Sequence, residues 1–216
     1  MVFPNKYFFH CVCLGLVVGI VLGSQDVAAD GVMNIAMEDQ FQNSCETRAF
    51  LGDVVILVYA ERHGADKSLQ LGRKLHLHFH PTADTVSADA WSQQPVRGIM
   101  NWPSGVPVPD VRVIPVASLT EVPRALKPVA RARIRKDSPL VPLWLDFEGS
   151  LERMFGIIPG EPNVVVLDTV GQVHSVFCGK LDDQEFQQFV TRVDQIRSAS
   201  LKSVRIVTGP NENVLR

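Results

Sequence analysis

Seven apolar residues in a row, VVILVYA at Val54–Ala60, constrain the fold of this chain more than any other feature. A strand with one wet face alternates apolar and polar side chains. A strand that is apolar throughout, and rich in β-branched residues, is buried on both faces, as in the middle of a parallel sheet. After this run, residues 65–77 place Leu69, Leu71 and Leu75 among Lys67, Gln70, Arg73 and Lys74. That spacing predicts an amphipathic helix, imperfectly broken by Gly72. A strand followed directly by a helix begins a βα unit.

The rhythm then repeats. Residues 111–116 read as a second strand, with Pro115 at its end or at a sheet edge. Residues 122–135 read as a helix that has Pro123 in its first turn and that Pro128 should kink or end early. Residues 140–147 are strand-like, 148–155 form a short helix, and NVVVLD at 163–168 is another strand. Past the tight turn Thr169-Val170-Gly171, residues 172–178 return as its hairpin partner. Asp182 and Asp183 supply the N-cap and a negative first turn for a closing helix, which lines up Phe186, Phe189, Val190, Val193 and Ile196. The order βα, βα, βα, ββ, α predicts an α/β fold, a mixed central sheet flanked by helices. Residues 31–51 have no clean period and read as a lead-in segment. Residues 81–110, rich in Pro, Gly, Ser and Asp around Trp91 and Trp102, form a long loop insertion after the first helix, of a length that is usually functional or mobile.

A chain of 216 residues is long enough for one domain with a full core. Its formal charge of −2 and the lack of any dense Lys/Arg cluster give no support for nucleic-acid binding. The most basic stretch, residues 131–136, reads as one solvated helix face. At the N-terminus, Lys6 precedes an apolar run over residues 7–23, and Val27, Ala28 and Ala29 precede Asp30. This is the layout of a signal peptide cleaved after residue 29, and the run is short for a membrane span of about 20 apolar residues. The expected organisation is a leader at 1–29, a domain at 31–199 and a weakly structured tail at 200–216. The mature protein is expected in the periplasm or cell envelope, or secreted, with no membrane contact unless the leader is retained as an anchor.

Several stretches carry a family resemblance: Leu145-Asp146-Phe147-Glu148-Gly149, Phe155-Gly156, Gly160-Glu161-Pro162, the strand ending at Asp168, and the glycines at Gly171 and Gly179. With the order of elements, they resemble the thioredoxin-like superfamily, in its envelope and peroxiredoxin-like branch, over roughly residues 31–197. The resemblance implies a thioredoxin-like fold and makes Pro162 the candidate for the family's cis-proline, which faces the active-site loop. That loop is Glu61-Arg62-His63-Gly64-Ala65-Asp66-Lys67, where Gly64 and Lys67 stand near the positions of the family's two CxxC cysteines. It contains no sulfur. Dithiol exchange needs an attacking thiolate and a resolving thiol, and a peroxidase needs at least one thiolate, so no catalytic residue is assigned to the loop.

Cys11 and Cys13 lie in the leader, which leaves Cys45 and Cys178 in the mature chain. In an oxidising compartment three readings stand: a structural disulfide, two free or buried thiols, or a displaced redox pair. In the fold that the resemblance implies, both cysteines could approach the same region of the sheet. His76, His78 and His80 alternate, so a strand would put all three on one face, whereas a helix would pair only His76 with His80. No carboxylate or cysteine stands beside them at ligand spacing, and they read as surface histidines at a helix end, with metal binding the weaker reading. His63 beside Glu61 and Asp66 lacks a nucleophile, so the loop reads as solvated. No Gly-rich phosphate loop or paired metal motif is present, and no cofactor is expected. The leading expectation is an exported module with a degenerate active site that binds or assembles with a protein partner, through the surface near Pro162 and the 81–110 loop with its exposed tryptophans. The alternative is a thiol-disulfide oxidoreductase using Cys45 and Cys178.

Overall fold

The computed structural model describes residues 31–87 and 89–207, with side chains through Leu201; the leader expected at 1–29, with Cys11 and Cys13, lies outside the described residues. Its strands are β1 (Ala36–Asp39), β2 (Ser44–Glu46), β3 (Val54–Ala60), β4 (Val111–Ser118), β5 (Trp144–Asp146), β6 (Asn163–Leu167) and β7 (Val173–Cys178). The helices are α1 (Ala65–Phe79), α2 (Lys127–Asp137), α3 (Ser150–Phe155) and α4 (Asp183–Val207). The strands form one mixed sheet in the order β2-β1-β5-β4-β3-β6-β7. β4 runs parallel to β3 and β5, while β6 is antiparallel to both β3 and β7.

β3 is buried at all seven positions, as its composition predicts, because both of its faces are covered. Val54, Ile56 and Val58 point to one layer, where Leu71, Leu75 and Phe79 of α1 meet Phe186, Val190, Val193 and Ile196 of α4. Val55, Leu57 and Tyr59 point to the other, with Ile114, Val116, Trp144, Leu151, Val165 and Leu167. Each fully buried aliphatic or aromatic side chain of this kind contributes about 1.5–3 kcal/mol. α1 passes through Gly72 without a break, since its buried stripe of Leu71, Leu75 and Phe79 outweighs the propensity of one glycine. α4 opens with a reciprocal cap: Glu185 N donates to Asp182 Oδ1 and Asp182 N donates to Glu185 Oε2, both at 2.8 Å. The helix then runs to Val207, so residues 200–207 are helical where a weakly structured tail was expected.

Other elements also differ from the sequence expectation, for local reasons. The lead-in segment is a hairpin, β1 with β2, closed by Asp39: its Oδ1 accepts from the backbone of Phe41 and Asn43, and Gln42 takes a left-handed φ of 71°. The fully buried Gln40 fastens this hairpin to the α2–β5 connection, donating to the carbonyls of Ser138 and Val141 and accepting from Leu143 N. β4 is an internal strand despite Pro115. β5 joins it only from Val116 onward, so the proline, which has no N–H to donate, sits just before the second neighbour arrives. Pro128 neither kinks nor ends a helix but lies in the first turn of α2, where its missing donor has no intrahelical partner to lose. The strand expected over 140–147 shrinks to Trp144–Asp146, and the helix after it starts at Ser150, because Asp146 accepts the backbone N–H groups of Ser150 and Leu151 and so caps α3. α2 buries no residue, and Arg133, Arg135 and Lys136 are exposed as a solvated face would have them; Arg131 is partly buried and donates to Glu38 and the Asp39 carbonyl, and Arg135 reaches the Gln40 carbonyl. Among the described residues, no helix is long and apolar enough to cross a membrane.

Candidate functional site

Because β6 is antiparallel to β3, with Tyr59 opposite Asn163, the chain enters β6 beside the point where it leaves β3. The turn into α1, residues 61–64, therefore meets the segment 158–162 at one pole of the sheet. The Glu61 carboxylate joins the two. Its Oε1 accepts from Gly64 N at 3.1 Å and from Gly160 N at 2.7 Å, and its Oε2 accepts from His63 N at 2.6 Å and from His63 Nδ1 at 2.9 Å. Burial raises the Glu61 carboxyl, but the amide donors of His63 and Gly160 and the His63 ring outweigh it and hold the group below the usual carboxylate range. Lys67, one turn into α1, pairs with Glu161. Asn163, fully buried, ties the far side: its Nδ2 donates to the Glu161 carbonyl and its Oδ1 accepts from Ile158 N.

Gly64 is where the loop and the proline segment meet most closely. A β-carbon there would lie 2.9 Å from the Glu161 carbonyl oxygen, 3.1 Å from Glu161 N and 3.0 Å from Ala60 Cβ. Pro162 is buried beside it, and its carbonyl accepts from Gly179 N at 2.9 Å, which links the segment to the end of β7. Arg62 is exposed, and so is His63. Glu61, Arg62, His63, Gly64, Lys67 and Pro162 thus lie at one pole. Gly160, Glu161 and Asn163 complete the site; in the sequence Gly160 and Glu161 enter only through the resemblance around Pro162, and composition by itself does not reveal which loop the turn faces.

The cysteines do not converge. Cys45 lies on β2 and Cys178 on β7, the two opposite edges of the sheet, and both are free thiols. The other five strands separate them, about 29 Å at ordinary strand spacing. A disulfide needs Cα atoms within about 7 Å, so neither the expected disulfide nor the displaced redox pair can form within one chain. Burial raises both thiols above the ordinary cysteine value, the opposite of what an attacking thiolate needs.

Nor are the three histidines a surface group. They lie at the end of α1, with His80 at its C-cap and buried, while His76 and His78 are half-buried. His76 and His80 stack at 4.4 Å between centroids, and His78 points instead to Phe79 and Phe186. Among the described residues no group of three or more His, Cys, Asp or Glu is placed to hold a metal ion. Trp91 and Trp102 are half-buried rather than exposed: the Trp91 ring lies 4.2 Å from that of His76, and Trp102 Nε1 donates to the Val106 carbonyl. Their loop opens where β3 and β4 begin, with Val54 N donating to the Asp110 carbonyl, so it occupies the pole opposite Pro162.

After the β1–β2 hairpin, the chain follows the order βα, βα, βα, ββ, α, with the entry to the first helix facing the proline segment before β6. The fold is thioredoxin-like. No protein-family model and no curated protein matches the chain. Among solved structures it is similar to the exposed lipoprotein thioredoxin of Streptococcus pneumoniae, at 14% identity over 74% of this chain and 99% of that one, with a TM-score of 0.47. A secreted thiol-disulfide isomerase from Corynebacterium glutamicum gives 14% identity over 76% and 85%, with a TM-score of 0.45. Peroxidoxin BcpB from Mycobacterium tuberculosis gives 17% over 78% and 94%, with a TM-score of 0.40. The thioredoxin-like fold is read from the strand order and the facing loops.

Proposed function

We propose that this protein is an exported thioredoxin-fold binding or assembly module, and that its partner surface is the pole formed by Arg62, His63, Lys67 and the segment ahead of Pro162. The observation that carries this reading is the use of the position where a thiol would stand. Gly64 packs against the Glu161 backbone too closely for a side chain, and the Glu61 carboxylate takes the amide donors around it. The chemistry built into the loop is a hydrogen-bonded clasp, which fixes the shape of a surface and offers no nucleophile. Arg62, His63 and Lys67 are exposed on the loop, and Ile158, in the segment that faces it, is 47% exposed, so polar and apolar groups are presented at one pole. Export rests on the leader pattern of residues 1–29. The 81–110 loop, at the other pole, is not part of this surface.

Two measurements on the full chain test the reading. Insulin reduction in the presence of dithiothreitol should run at the uncatalysed rate, and neutral replacements of Glu61, Arg62 and Lys67 should leave it unchanged; catalysis that depends on the loop would overturn the proposal. A photo-crosslinking residue at position 63 should trap a discrete protein adduct in the producing cell, whereas the same residue at Met100, exposed on the opposite loop, should not. Adducts only from Met100 would move the partner surface away from this pole.

A further inference from the structure

The end of α1 carries a second constellation that the proposed partner surface does not use. His80, the C-cap residue, is 3% exposed, and its Nε2 donates to Asp110 Oδ1 at 2.8 Å. Asp110 is in turn held by Arg112 at 3.1 Å, and Arg112 Nε donates to Asp53 Oδ2 at 3.0 Å. One turn back on α1, the His76 ring stacks on His80 at 4.4 Å, and the indole of Trp91 lies 4.2 Å from the same ring, tilted at 42°. His76 Nε2 donates to the Trp91 carbonyl at 3.1 Å. The short turn Trp91–Gln93 is thereby seated on two imidazoles that are seated on a carboxylate. Further along the loop the attachments are of another kind: Arg97 pairs with Asp194 of α4, and the fully buried Arg197 donates to the carbonyls of Pro109 and Arg97.

We propose that the His76–His80 stack is an acid-sensitive latch, which holds the Trp91–Gln93 turn against α1 when His76 is neutral and releases it when His76 takes up a proton. The groups that face His76 are His80 on its own helix, Asp110 and, behind it, Arg112 at the start of β4, with Asp53 ahead of β3; Arg97 and Asp194 act on His78 instead. Burial, and after it the neighbouring His80, hold His76 below the ordinary imidazole value, outweighing the Trp91 carbonyl and the Asp110 carboxylate, which favour the proton. The open form therefore binds the proton more readily than the closed one. Closure is fully stabilised above the ordinary value of about 6.5 and weakens as the pH falls below it. Release is confined to the turn, because the Arg97–Asp194 pair and the Arg197 attachments hold the rest of the loop without contacting His76.

The test uses the full chain labelled with 5-fluorotryptophan, followed by 19F NMR from about pH 8 to about pH 5, the window of imidazole titration. The Trp91 resonance should move along one curve whose midpoint matches that of the His76 C2 proton, while buried Trp144 stays still. His76→Gln, which keeps an amide donor but cannot titrate, should abolish the movement, and His78→Gln should leave it. A Trp91 resonance that is flat with pH, or that still moves in His76→Gln, overturns the proposal. Should His76→Gln fail to fold, the wild-type chain decides alone, since a Trp91 curve that departs from the His76 midpoint is equally fatal.

Discussion

Two glycines of the same region answer to opposite physics. At Gly64 an added methyl would meet the Glu161 backbone and Ala60 within about 3 Å, whereas at Gly72, inside α1, nothing lies within 4 Å. Gly64→Ala is expected to destabilise the protein by about 1–3 kcal/mol as an overpacked contact that only backbone movement can relieve. Gly72→Ala should stabilise it by about 0.5–1 kcal/mol through helix propensity. Urea unfolding of both variants beside the wild type checks the pair, and equal shifts of one sign would contradict the close approach at Gly64. In the sequence the two residues look alike; only the neighbour across the turn separates them. Glu61 behaves similarly, since its polar character is legible but its role as a clasp depends on Gly160, 99 positions away.

Among the elements, those whose stabilising partners are near in sequence are the ones that the sequence announces. α4 is the clearest case, with its cap and its apolar stripe within one segment, and Asp182→Ala should cost about 1 kcal/mol in thermal or urea unfolding. A loss near zero would mean that the packing of Phe186 and Val190 alone sets where the helix starts. The β6–β7 hairpin is legible for the same reason, a tight turn between two apolar runs. The β1–β2 hairpin is not, because strands of four and three residues carry too little period, and its hold on the molecule runs through Gln40 to residues about a hundred positions away. α2 is the solvated face that its composition suggests, and only the contacts of Arg131 and Arg135 are illegible, because arginine is compatible with both water and a pinned contact. Those two side chains find Glu38 and the carbonyls of Asp39 and Gln40 only once the sheet has been assembled.

For the molecule as a whole, strand order fixes distances that no local pattern contains. With Cys45 and Cys178 on opposite edges of the sheet, alkylation of the denatured chain without reductant, followed by peptide mapping, should find both Cys45 and Cys178 labelled. In the native chain both thiols should react slowly near neutral pH and faster as the pH rises, because burial raises both. A Cys45–Cys178 crosslink within one chain, located by peptide mapping and surviving glutathione, would contradict the sheet order itself. The same order puts the Pro162 segment and the 81–110 loop at opposite poles, so one partner surface cannot include both.

The sequence by itself determined the buried central strand, the alternation of strands and helices, the closing hairpin and capped helix, and the absence of sulfur from the loop after β3. Each of these is written in side-chain period, turn chemistry or residue identity within a short stretch. Tertiary structure alone decided that the cysteines stand apart, that the histidines stack beneath a tryptophan, and that Gly64 has no room for a side chain. Those outcomes depend on which strands become neighbours, and that is settled by the joint burial of residues far apart in the chain.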